Sequence, residues 1–148
     1  IGRGEFVLAR RLSWLGVKVN LVLASINGSL LYIFSSYIAQ FYSNDQEVIA
    51  IGATLLGFAA LYQISDAIQI GTAGALRGYQ DRFIVMLLTF CSYWLFGLSL
   101  GYYLAFELPE PLGATGFWLG IIAGLSAAAI FLAARLHRVS KKAIQASV

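Results

Sequence analysis

The chain has 148 residues, 59% hydrophobic and only 11% charged, with a formal net charge of +3, one cysteine and one histidine. A mean hydropathy of +0.78 excludes an ordinary soluble domain, in which about a quarter of residues are charged. A single Cys excludes an internal disulfide, and one Cys with one His is too few for a Cys/His metal cluster.

The opening IGRGEFVLARR, residues 1–11, is amphipathic and basic and lacks the layout of a signal peptide, so it predicts a cytoplasmic loop of a longer protein. A first transmembrane helix is expected over about 12–41, beginning LSWLGVKVNLVLASINGSLLYIF. The NGS at 27–29 falls inside it and is discarded as a glycosylation acceptor. After the loop FYSNDQE, a second span of about 47–74 contains LYQISDAIQI, with one carboxylate, Asp66, in an otherwise uncharged run from Val48 to Leu76. The loop RGYQDR leads to a third span, about 82–106, which reads FIVMLLTFCSYWLFGLSLGYYLAF. ELPEPLGATG then leads to a fourth, about 114–136, containing FWLGIIAGLSAAAIFLAARL, and residues 137–148 form a basic tail.

Each span meets the roughly 20 residues needed to cross a bilayer as a helix. Backbone groups in lipid find no water to pair with, and the continuous apolar runs show no period-2 alternation, so an all-α membrane fold with four transmembrane helices follows. The loops FYSNDQE and ELPEPLGATG carry acids and no Lys or Arg. All ten basic residues fall within residues 1–18, in RGYQDR or between Arg135 and Lys142, on one side of the four spans, which by the positive-inside rule puts both ends of the chain in the cytoplasm. The positive charge is therefore a topology signal, and no nucleic-acid partner is expected. Trp14, Tyr42, Tyr102, Tyr103 and Trp118 fall near span ends and read as interface anchors.

Asp66 is the candidate functional residue. A carboxylate at membrane depth costs several kcal/mol unless it is paired or faces water, which makes it a site hypothesis by default. Helical spacing gathers Phe58, Tyr62, Asp66 and Gln69 on one face, so a phenol lies one turn from the carboxylate and an amide is close by. Such a face suits proton relay, or Na⁺ coordination by hard oxygens. The structural alternative is an interfacial Asp66 paired with Arg77 or Arg82. Tyr93 and Trp94 lie deep in the third span, where they line a cavity or fill the bundle. Gly97 and Gly101, and Gly116, Gly120 and Gly124, form small-xxx-small steps that read as helix packing. His137 is a solvated residue of the tail, and GTAGALRG lacks the preceding strand and Gly-Lys-Ser/Thr ending of a phosphate loop.

In order, LYQISDAIQ, GALRGYQD, SYWLFGLSLGY and PLGATGFWLGIIAGLSAAA resemble the last four helices of the multidrug and toxic compound extrusion (MATE) family, in its bacterial NorM-like branch. IGRGEFVLARR resembles the loop before that family's ninth helix. The resemblance implies part of the C-terminal six-helix lobe of a twelve-helix, inner-membrane transporter whose other eight helices are the chain's partners. It implies export of cationic or aromatic small molecules in exchange for Na⁺ or H⁺, with no enzyme activity and no cofactor beyond the coupling ion. It further implies that Asp66, with Tyr62, forms one half of a cation or proton site, Asp66 being the Na⁺ ligand if sodium is used.

Two positions depart from the family pattern. Ser99 stands where proline is common, which puts any bend of that helix in question, and Arg82 replaces a threonine. A self-contained four-helix scaffold or small oligomeric exporter is the alternative. An intramembrane enzyme lacks the residues for it.

Overall fold

A computed structural model describes residues 5–146, and no strand occurs among them. The helices are α1 (Phe6–Ile33), α2 (Ser35–Gln40), α3 (Gln46–Gly78), α4 (Arg82–Glu107) and α5 (Ala114–Gln145). Four of them, α1, α3, α4 and α5, are long and apolar enough to cross a membrane.

The expected boundaries shift at both ends. The first helix starts at Phe6, within the segment assigned to a loop, and breaks at Phe34, where φ −95° and ψ 8° leave the helical basin. The short α2 then continues to Gln40. The last helix runs nine residues past 136, through most of the supposed tail, to Gln145. Span length measures the residues that lipid must cover, whereas a helix ends where something stops it. FVLARR and RLHRVSKKAIQ contain neither Gly nor Pro, so their backbones continue the helix beyond the apolar segment. Residues 1–4 and 147–148 of the expected loop and tail lie outside the described residues.

Local signals set the ends of α3. The Asp45 side chain accepts the Glu47 backbone N–H at 2.9 Å, and Glu47 adds negative charge in the first turn, where the helix dipole favours it. At the other end, Asp81 N–H bonds to Leu76 C=O at 3.1 Å and Gln80 N–H to Arg77 C=O at 3.0 Å, which is a Schellman closure. Its left-handed position is filled by Gln80, at φ 63°, rather than by glycine.

Helix α3 packs along both α1 and α5, and α5 also packs along α4. The densest core, of Val17, Ala73, Leu76, Val85, Leu132 and Leu136, joins all four long helices at one end of the bundle. Asp81, in the α3–α4 connection, accepts from Arg135 of α5 at 2.6 Å and 3.3 Å, a two-pronged ion pair at that same end. The α1 residues Arg10 and Lys18 share a pocket with Ile144 of α5, so the basic segments meet at one end. The outward faces carry many large exposed apolar side chains, among them Val22, Leu61 and Ile130, as a lipid or protein environment requires.

Glycine sets the α4–α5 distance. A Cβ on Gly120 would lie 2.6 Å from the backbone nitrogen of Gly101, and one on Gly116 would lie 2.6 Å from that of Ala105. No side chain fits at either point. Helix α4 itself is not uniform: it is α-helical over Arg82–Cys91, winds more widely as a π-helix over Ser92–Leu98, returns to α over Ser99–Tyr102 and widens again over Tyr103–Glu107. Ser99, where the resemblance expects proline, sits at the junction of π and α winding and donates its hydroxyl to Trp94 C=O at 3.2 Å.

Candidate functional site

Above the dense core the helices part around a cavity of about 490 Å³, lined by Tyr62 and Asp66 of α3, Tyr93, Gly97 and Leu98 of α4, and Phe117, Ile121, Gly124 and Leu125 of α5. Asp66 is twelve residues before Gly78, so it sits roughly 18 Å of helix axis from that end of α3. Its side chain is the one carboxylate on a wall otherwise made of aromatic, aliphatic and glycine surface.

Each wall follows from helix register. Tyr62 and Asp66 are one turn apart and face the same space. The Tyr62 ring rests against Trp118 of α5, with centroids 6.2 Å apart, which holds the phenol beside the cavity. Next to Asp66, Ser65 meets Ser126 of α5 at 2.9 Å, so the same turn of α3 is tied to α5 by a hydroxyl pair. From α4, the Tyr93 hydroxyl donates to the Gln69 side-chain oxygen at 2.7 Å. Gln69 is buried, and its amide oxygen thereby gains the partner that a buried polar group requires.

On α5 the cavity takes the stripe Phe117, Ile121, Gly124 and Leu125, while Gly116 and Gly120 meet α4. Gly97 and Gly124 do both. A Cβ on Gly124 would lie 2.9 Å from the Gly97 Cα, and both glycines line the cavity, so close packing of the two backbones forms part of its wall. The sequence reasoning named the glycines and missed Leu98, Phe117, Ile121 and Leu125. Their signal was available: all four lie one residue beyond a glycine of the two stripes, at the helical spacing of a neighbouring face.

The other candidate lining residues lie elsewhere. Phe58 faces a separate pocket with Tyr32, Ser35 and Thr54. It is eight residues from Asp66, about 12 Å along the axis, level with the break between α1 and α2. Trp94 is largely exposed and stacks on Phe90 at 5.7 Å. Tyr93 and Trp94 are consecutive in the π-wound stretch and point to different sides of α4, so an inward Tyr93 turns Trp94 out. Neither Arg77 nor Arg82 pairs with Asp66, and the ion pair formed among the described residues is Arg135–Asp81.

Among the described residues no three His, Cys, Asp or Glu side chains gather as a metal centre. A monovalent ion at Asp66 would have one carboxylate from this chain, with phenol oxygens as its other polar neighbours on the wall.

The MatE family model matches residues 1–103. The chain belongs to the MatE family. Its relatives in that family include the multidrug resistance protein NorM of Vibrio vulnificus strain YJ016, which is 47% identical over 131 residues, 87% of this chain and 29% of that protein. The multidrug resistance protein PmpM of Pseudomonas aeruginosa is 43% identical over 139 residues, 93% of this chain and 29% of that protein. The MatE chain thus spans about three tenths of the length of the curated relatives it matches. In fold it is similar to the crystal structure of the eukaryotic MATE transporter AtDTX14, with a TM-score of 0.82 at 22% identity, covering 99% of this chain and 34% of that one. The MatE chain is therefore a multi-pass membrane protein segment of MATE architecture, as the ordered motifs imply.

Proposed function

We propose that this chain supplies helices nine to twelve of a twelve-helix bacterial inner-membrane antiporter, which exports organic cations in exchange for Na⁺ or H⁺ by alternating access. The observation that carries the reading is the convergence of Asp66, Tyr62 and Tyr93 on one apolar cavity between α3, α4 and α5. Membership of the MatE family and relatives named as multidrug resistance proteins support it.

The mechanism follows from what a single carboxylate in an apolar wall can do. Ionised, Asp66 attracts a cation, and the aromatic rings around it give an organic cation both apolar contact and a negative face. Bound to a proton it loses its charge, and bound to Na⁺ the charge is compensated; either event weakens its hold on a cationic substrate. One carboxylate used alternately by the coupling ion and by the substrate links entry of the first to release of the second. Tyr62 contributes a hydroxyl one turn away. Remaining ligands come from helices of the parent transporter outside this chain.

The test is Asp66→Asn in the full-length transporter, reconstituted in proteoliposomes with an organic cation inside and an imposed Na⁺ or H⁺ gradient. Normal expression with abolished ion-driven export is expected. Undiminished export would overturn the assignment, and separate Na⁺ and H⁺ gradients identify the coupling ion.

A further inference from the structure

At the end of the bundle away from the α3 N-terminus lies a second cavity, of about 560 Å³, between the start of α1 and the end of α5. Arg10, Arg11 and Lys18 line it together with Trp14, Val7 and Leu15, and Ile144 closes the far side. The α1 residues occupy positions i, i+3, i+4, i+7, i+8 and i+11, a single helical stripe in which cationic and apolar side chains are interleaved. No acid lines the cavity, and among the described residues none of its three cations has a carboxylate within ion-pair distance. Nothing in the export mechanism uses them.

We propose that this cavity binds the phosphate headgroup of an anionic phospholipid. Charge complementarity selects the class: three cations with no carboxylate partner among the described residues, within three turns of helix, attract phosphate, and guanidinium groups bind it through paired N–H donors. The surroundings select a lipid over a free anion. Trp14 packs against the dense core cluster and also lines the cavity, the amphipathic placement of an interface anchor. Leu8, Leu12 and Val19 of α1 are exposed beside the cationic stripe and offer an apolar track along which acyl chains run. Basic pockets at the ends of transmembrane helices commonly take such headgroups, each Lys or Arg near the surface adding to the attraction. The proposal does not depend on which ion drives export, nor on Asp66.

Native mass spectrometry of the purified full-length transporter, offered equal amounts of phosphatidylglycerol and phosphatidylcholine, tests it. Retention of phosphatidylglycerol at least about tenfold over phosphatidylcholine is expected, and the Arg10→Gln/Arg11→Gln/Lys18→Gln variant should lose that preference. Arg10→Lys/Arg11→Lys, which keeps the charge and loses the paired donors, should keep part of it, and Lys141→Gln/Lys142→Gln should keep it whole. Should the triple variant not fold, Arg11→Gln alone should lower the preference about threefold. The proposal is overturned by a native protein that retains both lipids equally, by an unchanged preference in the neutralised variants, or by equal loss in the Lys141/Lys142 control. Displacement of the lipid by millimolar inorganic phosphate would assign the site to a small anion and overturn it too.

Discussion

Tyr93 of α4 donates its phenolic hydroxyl to the side-chain oxygen of Gln69 on α3 at 2.7 Å, one turn beyond Asp66. This bond fixes the edge of the cavity, because it joins the one helix that carries the carboxylate to the one whose winding changes beside it. Tyr93→Phe keeps the ring and leaves the buried Gln69 oxygen without its donor, so a loss of about 1–2 kcal/mol is expected. Thermal unfolding in detergent measures it. Trp94→Phe, on the exposed side of α4, should change stability by less than half as much, and equal losses would show that the bond contributes nothing specific.

Tyr62 is held against Trp118 and faces the same cavity as Asp66. Removing only its hydroxyl in Tyr62→Phe preserves the ring contact. Export should fall by a few-fold, well short of the loss expected for Asp66→Asn, with the apparent affinity for the coupling ion changing more than the maximal rate. A rate identical to that of the native transporter at every ion concentration would remove Tyr62 from the site.

The α4–α5 contact tolerates no side chain at Gly120, since a Cβ would come within 2.6 Å of the Gly101 backbone. Gly120→Ala must push α4 and α5 apart, which should cost about 1–3 kcal/mol. Gly16→Ala is the control: nothing lies within 4 Å of the added Cβ, and stability should hold or rise by up to about 1 kcal/mol, since alanine is the better helix former. Melting temperatures that do not separate the two variants would refute the packing argument.

Asp81 and Arg135 tie the α3–α4 connection to α5 through two hydrogen bonds. Arg135 is more than a third exposed, so solvent screening limits the pair to about 1 kcal/mol of coupling. A double-mutant cycle with Asp81→Asn and Arg135→Gln isolates that coupling from the single effects. Additive single effects would mean that the ion pair carries no stability.

Gln80 adopts φ 63° at the close of α3, a conformation that a Cβ disfavours. Gln80→Gly relieves the clash and should stabilise the protein by about 1 kcal/mol without changing export. A lower melting temperature would show that the Gln80 side chain makes a compensating contribution.

The four spans, their order and the placement of Asp66 in the second were legible because each depends on local composition. A bilayer admits a continuous apolar run only as a helix, and one acid in such a run is conspicuous whatever surrounds it. Helix ends were read less well. Phe6 and Gln145 lie beyond the apolar segments, and the break at Phe34 has no Pro or Gly to mark it. The glycine stripes pointed to close packing, but which stripe met which helix could not be read from spacing.

By itself, then, the sequence determined a four-span helical chain, the position of its lone membrane acid, and its membership of a family through ordered motifs. Only the tertiary structure decided the neighbours of that acid. Tyr93 turns inward to Gln69 while Trp94 turns out, Phe58 falls to another pocket, and Asp81 pairs with Arg135, 54 residues away. Periodicity along one helix gives each side chain a direction about its own axis. The crossing and rotation of separate helices, set here by glycine contacts and interhelical hydrogen bonds, determine what it meets there.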